Sequence, residues 1–183
     1  MKTNRLSEKM TAILNSQVTE EAFASQIYLS YASWASGEGY TGIAKFLFRH
    51  AEEERNHMTK ILEYILNRGA KVSISAIAPP PKNPTDICDC FEKIFNHEVK
   101  NTTAIYAVVK KSMEEEDWAT WNFMQWFVKE QTEEESFAMG LLDKIKIAGK
   151  DKASSNTLYL IDKDLEHTNG ELTAAQDVTA TKP

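Results

Sequence analysis

The chain has 183 residues, of which 42% are hydrophobic and 26% charged, and its formal net charge is -6. This length fits one domain with a sizeable core, and the composition excludes a disordered or fibrous chain. The acidic balance argues against nucleic acid as a partner, because a phosphate backbone requires a basic face.

The amino terminus and the cysteines indicate a cytoplasmic protein. Residues 1–10 lack the apolar stretch of a signal peptide, and no apolar run reaches the ~18–20 residues of a membrane span. Cys88 and Cys90 are the only cysteines, and their spacing matches neither a CxxC pair nor a zinc finger. We therefore expect two reduced thiols, no membrane association and a cytoplasmic location.

Apolar residues recur with the helical period along most of the chain, and no sustained strand period is present. The pattern predicts four long helices and one short amphipathic helix. They cover about residues 6–36, 41–67, 86–115, 117–149 and 154–167. We assign residues 1–167 to a single domain and expect the polar tail, residues 168–183, to be flexible.

The connections between the predicted helices determine the topology. Residues 70–85 contain four prolines and form an extended link with no helical pattern. About 15 extended residues reach ~50 Å, and a 30-residue helix is ~45 Å long. The link can therefore travel the whole length of a bundle, whereas the turns after the first and third helices are short. These lengths predict an all-α four-helix bundle with one long crossover between helices 2 and 3.

Each long helix carries a carboxylate within the stripe that should be apolar, and two further polar residues accompany them. These residues are Glu21 on the first helix, Glu54 and His57 on the second, Glu98 on the third, and Gln131 and Glu134 on the fourth. All four carboxylates lie ~22–27 Å from their own turn at 1.5 Å per residue, near the middle of the bundle. They should therefore converge.

Converging buried carboxylates require cations. Without them, each carboxylate costs several kcal/mol even after relaxation. Two divalent metals balance four carboxylates, and oxygen ligands with one imidazole suit iron or manganese better than structural zinc. Bridging carboxylates can hold two metals ~3.5–4 Å apart, where dioxygen can accept an electron from each. The pattern predicts a dinuclear metal centre.

The acidic runs and His57, each taken alone, can be explained without a metal. The acidic runs at 52–54 and 133–135 are typical of a solvated helix face, and a lone His57 is usually a satisfied histidine. A metal-free helical scaffold would accommodate both. It leaves the common depth of the four carboxylates unexplained.

Over about residues 6–167 the chain resembles bacterial non-haem ferritins. The matching segments are Glu21 with Tyr28, residues 46–58, Glu98, and residues 122–135, 148–150 and 158–163. The resemblance implies that Glu21, Glu54 and His57 hold a first iron. Glu54 then bridges to a second iron, whose further ligands are Glu98 and Glu134.

The resemblance also implies roles for the neighbouring residues. Gln131 is expected beside the centre, either on the side where dioxygen binds or in contact with an iron ligand. Tyr28 is expected to hydrogen-bond near the centre and supply an electron, and Trp126 to pack behind the centre. An adjacent third iron site, typical of the bacterial branch, is implied at Glu53, Glu130 and Glu133, which share Glu134.

The function implied by the resemblance is iron storage with ferroxidase activity. Fe(II) is oxidised by dioxygen or hydrogen peroxide and stored as ferric oxide in a homo-oligomeric shell of 24 subunits, with the short last helix at the fourfold axes. No haem is expected, since Arg55 and Asn56 occupy the stretch where bacterioferritin has its ligating methionine. The alternative is a di-iron oxidase or peroxidase acting on peroxide or an organic substrate, with an apolar channel and a reductase partner.

Overall fold

The computed structural model describes residues 4–149 and 155–167, and all regular structure in these ranges is helical. The helices are α1 (Glu8–Gly37), α2 (Thr41–Asn67), α3 (Ile87–Glu114), α4 (Trp118–Ile147) and α5 (Ser155–His167). The predicted all-α class and the five helices are confirmed, with ends shifted by one or two residues. The predicted tail, residues 168–183, lies outside the described residues.

The helix ends follow local side-chain chemistry. Ser7, Asp86 and Asp117 precede α1, α3 and α4, and each side chain accepts a hydrogen bond from a backbone N–H of the first turn. Such caps satisfy amide groups that have no partner within the helix. Gly69 follows α2 with φ 76°, the left-handed conformation that closes a helix. Side-chain caps at Asp86 and Asp117 and the glycine at position 69 therefore mark where these helices begin and end.

Contacts at one end of the bundle establish the topology. Arg5 N donates a hydrogen bond to Arg68 O, which joins the start of α1 to the end of α2. Ser7 Oγ donates to Glu115 Oε2 at 2.6 Å, beside the end of α3. The ends of α2 and α3 therefore share one end of the bundle, and these two helices run parallel. Residues 70–84, without regular structure, form the long crossover that the sequence predicts.

The apolar core is divided into two parts. One contains Tyr31, Ile43, Phe91 and Leu141 near the α1–α2 turn. The other contains Leu14, Ile61, Ile105 and Phe127 towards the opposite end. On every long helix the residues between these two parts include the carboxylates singled out from the sequence, so a polar layer crosses the middle of the bundle.

Helix α5 docks on the start of α2, and one of its carboxylates caps that helix. The Tyr40 side chain caps nothing there, and Asp162 Oδ1 accepts hydrogen bonds from the backbone N–H groups of Gly42 and Ile43, each at 2.9 Å. A Cβ atom on Gly42 would lie 1.8 Å from the Asp162 carbonyl oxygen, so only glycine permits this approach. Lys45 and Glu166 add an ion pair at 2.7 Å.

Across residues 4–149 and 155–167, no helix is long and apolar enough to cross a membrane.

We predict that Gly42→Ala displaces α5, because the added methyl group meets backbone atoms that cannot move aside cheaply. The variant should melt at a lower temperature, and limited proteolysis followed by mass spectrometry should find faster cleavage around α5. Gly140→Ala is the control, since no atom lies within 4 Å of its Cβ position and helical alanine is favoured by ~0.5–1 kcal/mol. Wild-type melting and cleavage of Gly42→Ala would contradict this account of the docking.

Candidate metal centre

The four carboxylates predicted to converge are all withdrawn from solvent. Glu21, Glu54 and Glu98 are 0% exposed and Glu134 is 7% exposed. Helical periodicity explains this burial, since each residue continues a stripe whose other members form the two parts of the core.

The first group joins α1 and α2. One ligand atom from each of Glu21, Glu54 and His57 lies within 4.8 Å of the other two. His57 Nδ1 is 3.7 Å from Glu54 Oε2, and the His57 ring meets Trp126 edge to face at 5.2 Å between centroids. Both Glu54 oxygens are buried and accept no hydrogen bond from a described residue, so the hydrogen bond open to Glu54 is donation of its own carboxyl proton to Glu21. A buried carboxylate with no donor is costly, so this group fits a cation that coordinates Glu54.

The second group surrounds Glu98. Tyr28 Oη donates a hydrogen bond to Glu98 Oε1 at 2.7 Å, and Gln131 Nε2 donates to Glu98 Oε2 at 3.2 Å. Tyr28 and Gln131 therefore hold the two oxygens of Glu98 from different helices. Glu98 is also near enough to Glu54 and Glu134 to raise the pKa of both carboxyls by charge repulsion.

The residues of the implied third site lie on the α2–α4 side of the same layer. Glu130 Oε1 is 3.9 Å from His57 Nε2, and Glu133 pairs with Lys129 at 3.3 Å. Glu53 approaches His50 instead, with 3.5 Å between Glu53 Oε2 and His50 Nδ1.

His50 is a candidate ligand that the sequence reasoning missed. Its Nε2 is 3.7 Å from Glu134 Oε2, and ligand atoms of His50, Glu53 and Glu134 lie within 4.8 Å of one another. The signal was available, because His50 precedes Glu54 by four residues and therefore shares its helix face.

Two buried amides were missed as well. Gln17 and Asn101 are 2% and 4% exposed, and both donate hydrogen bonds to Glu21. Gln17 precedes Glu21 by four residues, which the period could have revealed. Asn101 reaches Glu21 from α3, and only the register between the two helices shows this contact.

Burial governs the acid–base state of the layer. Burial first, and then repulsion from Glu98 and other carboxylates, holds the pKa values of Glu54 and Glu134 well above their usual range. Burial raises the pKa of Glu98 and of Glu53 to about 7, and it also raises those of Glu21 and Glu130. Without cations, the layer therefore retains protons that exposed carboxylates would have lost.

Burial lowers the pKa values of the two histidines, whereas it raises those of the carboxyl groups. Burial lowers the pKa of His50 and of His57 to about 4, because it disfavours the charged imidazolium. Both rings are neutral near pH 7 and offer a lone pair. Carboxylates with neutral imidazoles form a donor set that suits iron or manganese.

We predict that Glu98→Gln stabilises the cation-free protein increasingly as pH rises. At pH values below 4.5 the Glu98 carboxyl is protonated in both the folded and the unfolded chain. Between pH 4.5 and about 7 the unfolded chain loses this proton while the folded chain keeps it, so wild type loses stability relative to the variant. The difference should reach about 1–4 kcal/mol.

The measurement is thermal melting of both proteins with chelator at one scan rate, from pH 5 to pH 8. The histidine contributions are common to both proteins and cancel in the difference. Glu92→Gln, at an exposed position of α3, is the control and should show no widening gap. A constant difference between wild type and Glu98→Gln across the range would refute the burial argument.

The chain is similar in sequence to known ferritins along most of its length. The sequence model of the ferritin-like domain matches residues 11–148. The chain is 39% identical over 160 residues to a probable bacterial non-heme ferritin-like protein of Haemophilus influenzae, covering 87% of this chain and 95% of that protein. It is 36% identical over 162 residues to the bacterial non-heme ferritin of Campylobacter jejuni, covering 88% and 95%.

Solved structures agree with these sequence matches. An open pore ferritin from the hyperthermophilic archaeon Archaeoglobus fulgidus superposes with a TM-score of 0.85 at 35% identity, covering 90% of this chain and 98% of that one. Sequence and fold therefore lead to one conclusion: the chain belongs to the ferritin family and is similar to its bacterial non-haem members.

Proposed function

We propose that this protein oxidises Fe(II) to Fe(III) at a dinuclear centre in the middle of the bundle and stores the product as ferric oxide. The observation that carries the proposal is Glu54, whose two oxygens are fully buried, accept no hydrogen bond from a described residue and adjoin the ligand atoms of Glu21 and His57. A carboxylate in this environment is well suited to bridging two cations.

Each ligand has a distinct place in this proposal. Glu21 and His57 bind the first Fe(II), Glu54 bridges, and Glu98 and Glu134 bind the second. Two Fe(II) ions bring four positive charges to four carboxylates, which removes the repulsion within the layer. Fe(II) is the substrate here, and the chain supplies geometry and charge.

The electron balance needs two irons. Two Fe(II) ions give two electrons, which with two protons reduce dioxygen to hydrogen peroxide, or reduce hydrogen peroxide to two waters. Iron binding displaces the protons that the buried carboxyls hold, so protons are released beside the reacting oxygen.

Tyr28 can supply a fourth electron when a third Fe(II) occupies the neighbouring position, because three Fe(II) ions and Tyr28 together provide the four electrons that, with four protons, reduce dioxygen to two waters. Its pKa is held well above the usual value by burial and by Glu98, Glu134 and Glu54, so it remains a phenol at any physiological pH. Loss of an electron from the ring would move the phenolic proton to Glu98 Oε1, 2.7 Å away. Gln131 keeps Glu98 oriented from the opposite side.

The neighbouring cluster fits a third iron position. Glu53, Glu130 and Glu133 surround Glu134 in this proposal, and His50 adds a neutral imidazole between Glu53 and Glu134. Because Glu134 would be shared with the second iron, the third position could receive iron leaving the dinuclear centre.

Assembly into a shell of 24 subunits, in the cytoplasm and without haem, completes the proposal. The named ferritins among the relatives support it. The subunit also leaves Ile147, Tyr159 and Leu160 exposed at 87%, 57% and 58% where α4 ends and along α5. Burying such apolar surface between copies is favourable at ~25 cal/mol per Å².

We predict that Glu54→Ala removes fast iron oxidation while the shell still assembles, because Glu54 serves the reaction and makes no contact at the surface. Loss of outer-shell partners already costs ~10–100-fold at metal sites, so loss of the bridging ligand should cost at least ~100-fold. Stopped-flow absorbance after mixing with Fe(II) and dioxygen measures the rate. Glu52→Ala changes an exposed glutamate on the same helix and should keep the wild-type rate.

Equal initial rates in Glu54→Ala and wild type would remove Glu54 from the centre. Iron retained by the assembled protein after gel filtration separates storage from the alternative. A di-iron oxidase or peroxidase would stop near two irons per subunit, whereas a storage shell continues to load.

A further inference from the structure

Glu21 is held by two amide side chains, whereas Glu54 is held by none. Gln17 Nε2 donates a hydrogen bond to Glu21 Oε1 at 2.8 Å, and Asn101 Nδ2 donates to Glu21 Oε2 at 3.3 Å. Gln17 Nε2 also donates to Asn101 Oδ1 at 2.7 Å. The three side chains form a closed and buried triangle.

The triangle fixes the orientation of every group in it. Because Asn101 Oδ1 accepts from Gln17, Asn101 must present its Nδ2 to Glu21. Because both N–H groups of Gln17 are used, its amide cannot rotate without losing a bond. The plane of the Glu21 carboxylate is therefore determined before any cation arrives.

Helices α1 and α3 each donate a hydrogen bond to a carboxylate of the other. Tyr28 of α1 donates to Glu98 of α3, and Asn101 of α3 donates to Glu21 of α1. The donors differ in kind, since Glu98 receives a phenol and Glu21 receives only amides. The two ends of the centre are therefore positioned by separate sets of residues.

We propose that Gln17 and Asn101 are positioning residues for Glu21, which set the affinity of the first metal position independently of the second. This inference rests on the dinuclear centre proposed above. One lone pair on each Glu21 oxygen is taken by an amide, and a Glu21 oxygen still lies within 4.8 Å of ligand atoms of Glu54 and His57. Because Glu21 is already aligned, its side chain loses less conformational entropy when a divalent cation binds.

The triangle also lies beside a cavity that supplies a control. A space of about 350 Å³ between α1 and α3 is lined by Phe23, His97, Asn96 and Asn101, among others. Asn96 is exposed and has no contact with Glu21 among the hydrogen bonds of the described residues. Asn96→Leu therefore alters the same cavity and helix without touching the triangle.

The test uses Co²⁺, which is not oxidised by dioxygen, on the assembled full-length protein. Wild type, Asn101→Leu, the double variant Gln17→Leu with Asn101→Leu, and Asn96→Leu are compared. Visible absorbance titrations give the affinities, and anomalous scattering from crystals soaked at limiting Co²⁺ gives the occupancy of each position. The double variant replaces both amides with apolar groups, so no single buried amide is left without its partner. If Asn101→Leu fails to fold, the double variant still tests whether the two amides set the affinity of the first position.

We expect the first position, at Glu21 and His57, to bind Co²⁺ ~10–100-fold more weakly in both triangle variants. The second position, at Glu98 and Glu134, should keep its wild-type occupancy. With Fe(II), the concentration that gives half the maximal rate should rise by a similar factor while the saturated rate stays close to wild type. Asn96→Leu should match wild type in every measurement.

Two results would overturn the inference while leaving the proposed function in place. One is unchanged Co²⁺ affinity at both positions in the triangle variants. The other is an equal loss at both positions, which indicates a general structural defect. If wild type binds no Co²⁺ beside Glu54, the proposed function fails first and the inference fails with it.

Discussion

The structure depends on one electrostatic constraint: four carboxylates meet in a layer where none of them is more than 7% exposed. In water these groups would be fully ionised and would repel one another only weakly. In the bundle, desolvation raises the pKa of all four, and repulsion from the other carboxylates raises those of Glu54, Glu98 and Glu134 further. Proton retention or divalent cations can relieve this cost, and exchange between the two couples metal binding to proton release.

The rest of the fold keeps that layer in place. Two apolar cores lie on either side of it, so the stability of the subunit comes from the ends of the bundle while its chemistry occupies the middle. The long crossover makes α2 and α3 parallel, and each hairpin brings its own pair of carboxylates to the same depth. Hydrogen bonds from Tyr28, Gln131, Gln17 and Asn101 then orient the two outer carboxylates, Glu98 and Glu21, and leave Glu54 free to coordinate.

Features that depend on residues within a single helix were predictable from the sequence. They include the helices, the burial of Glu21, Glu54, Glu98 and Glu134, and the caps at Asp86 and Asp117. Features that need the register between helices were not. Asn101 meets a residue 80 positions away, and Asp162 caps α2 by binding Gly42, which lies 120 positions earlier. His50 is a different case. Its four-residue spacing from Glu54 is evident in the sequence and places both residues on one helix face.

The most direct test of the constraint is the number of protons released when the cation-free protein binds Zn²⁺ at pH 6.5. Titration calorimetry in buffers of different ionisation enthalpy gives this number. The account predicts at least about one proton per subunit, because Glu54, Glu98 and Glu134 retain protons in the empty layer. His50 and His57, with pKa values of about 4, are already neutral and contribute none. Zn²⁺ binding without proton release would show that the carboxylates were ionised and solvated, contrary to the buried layer described above.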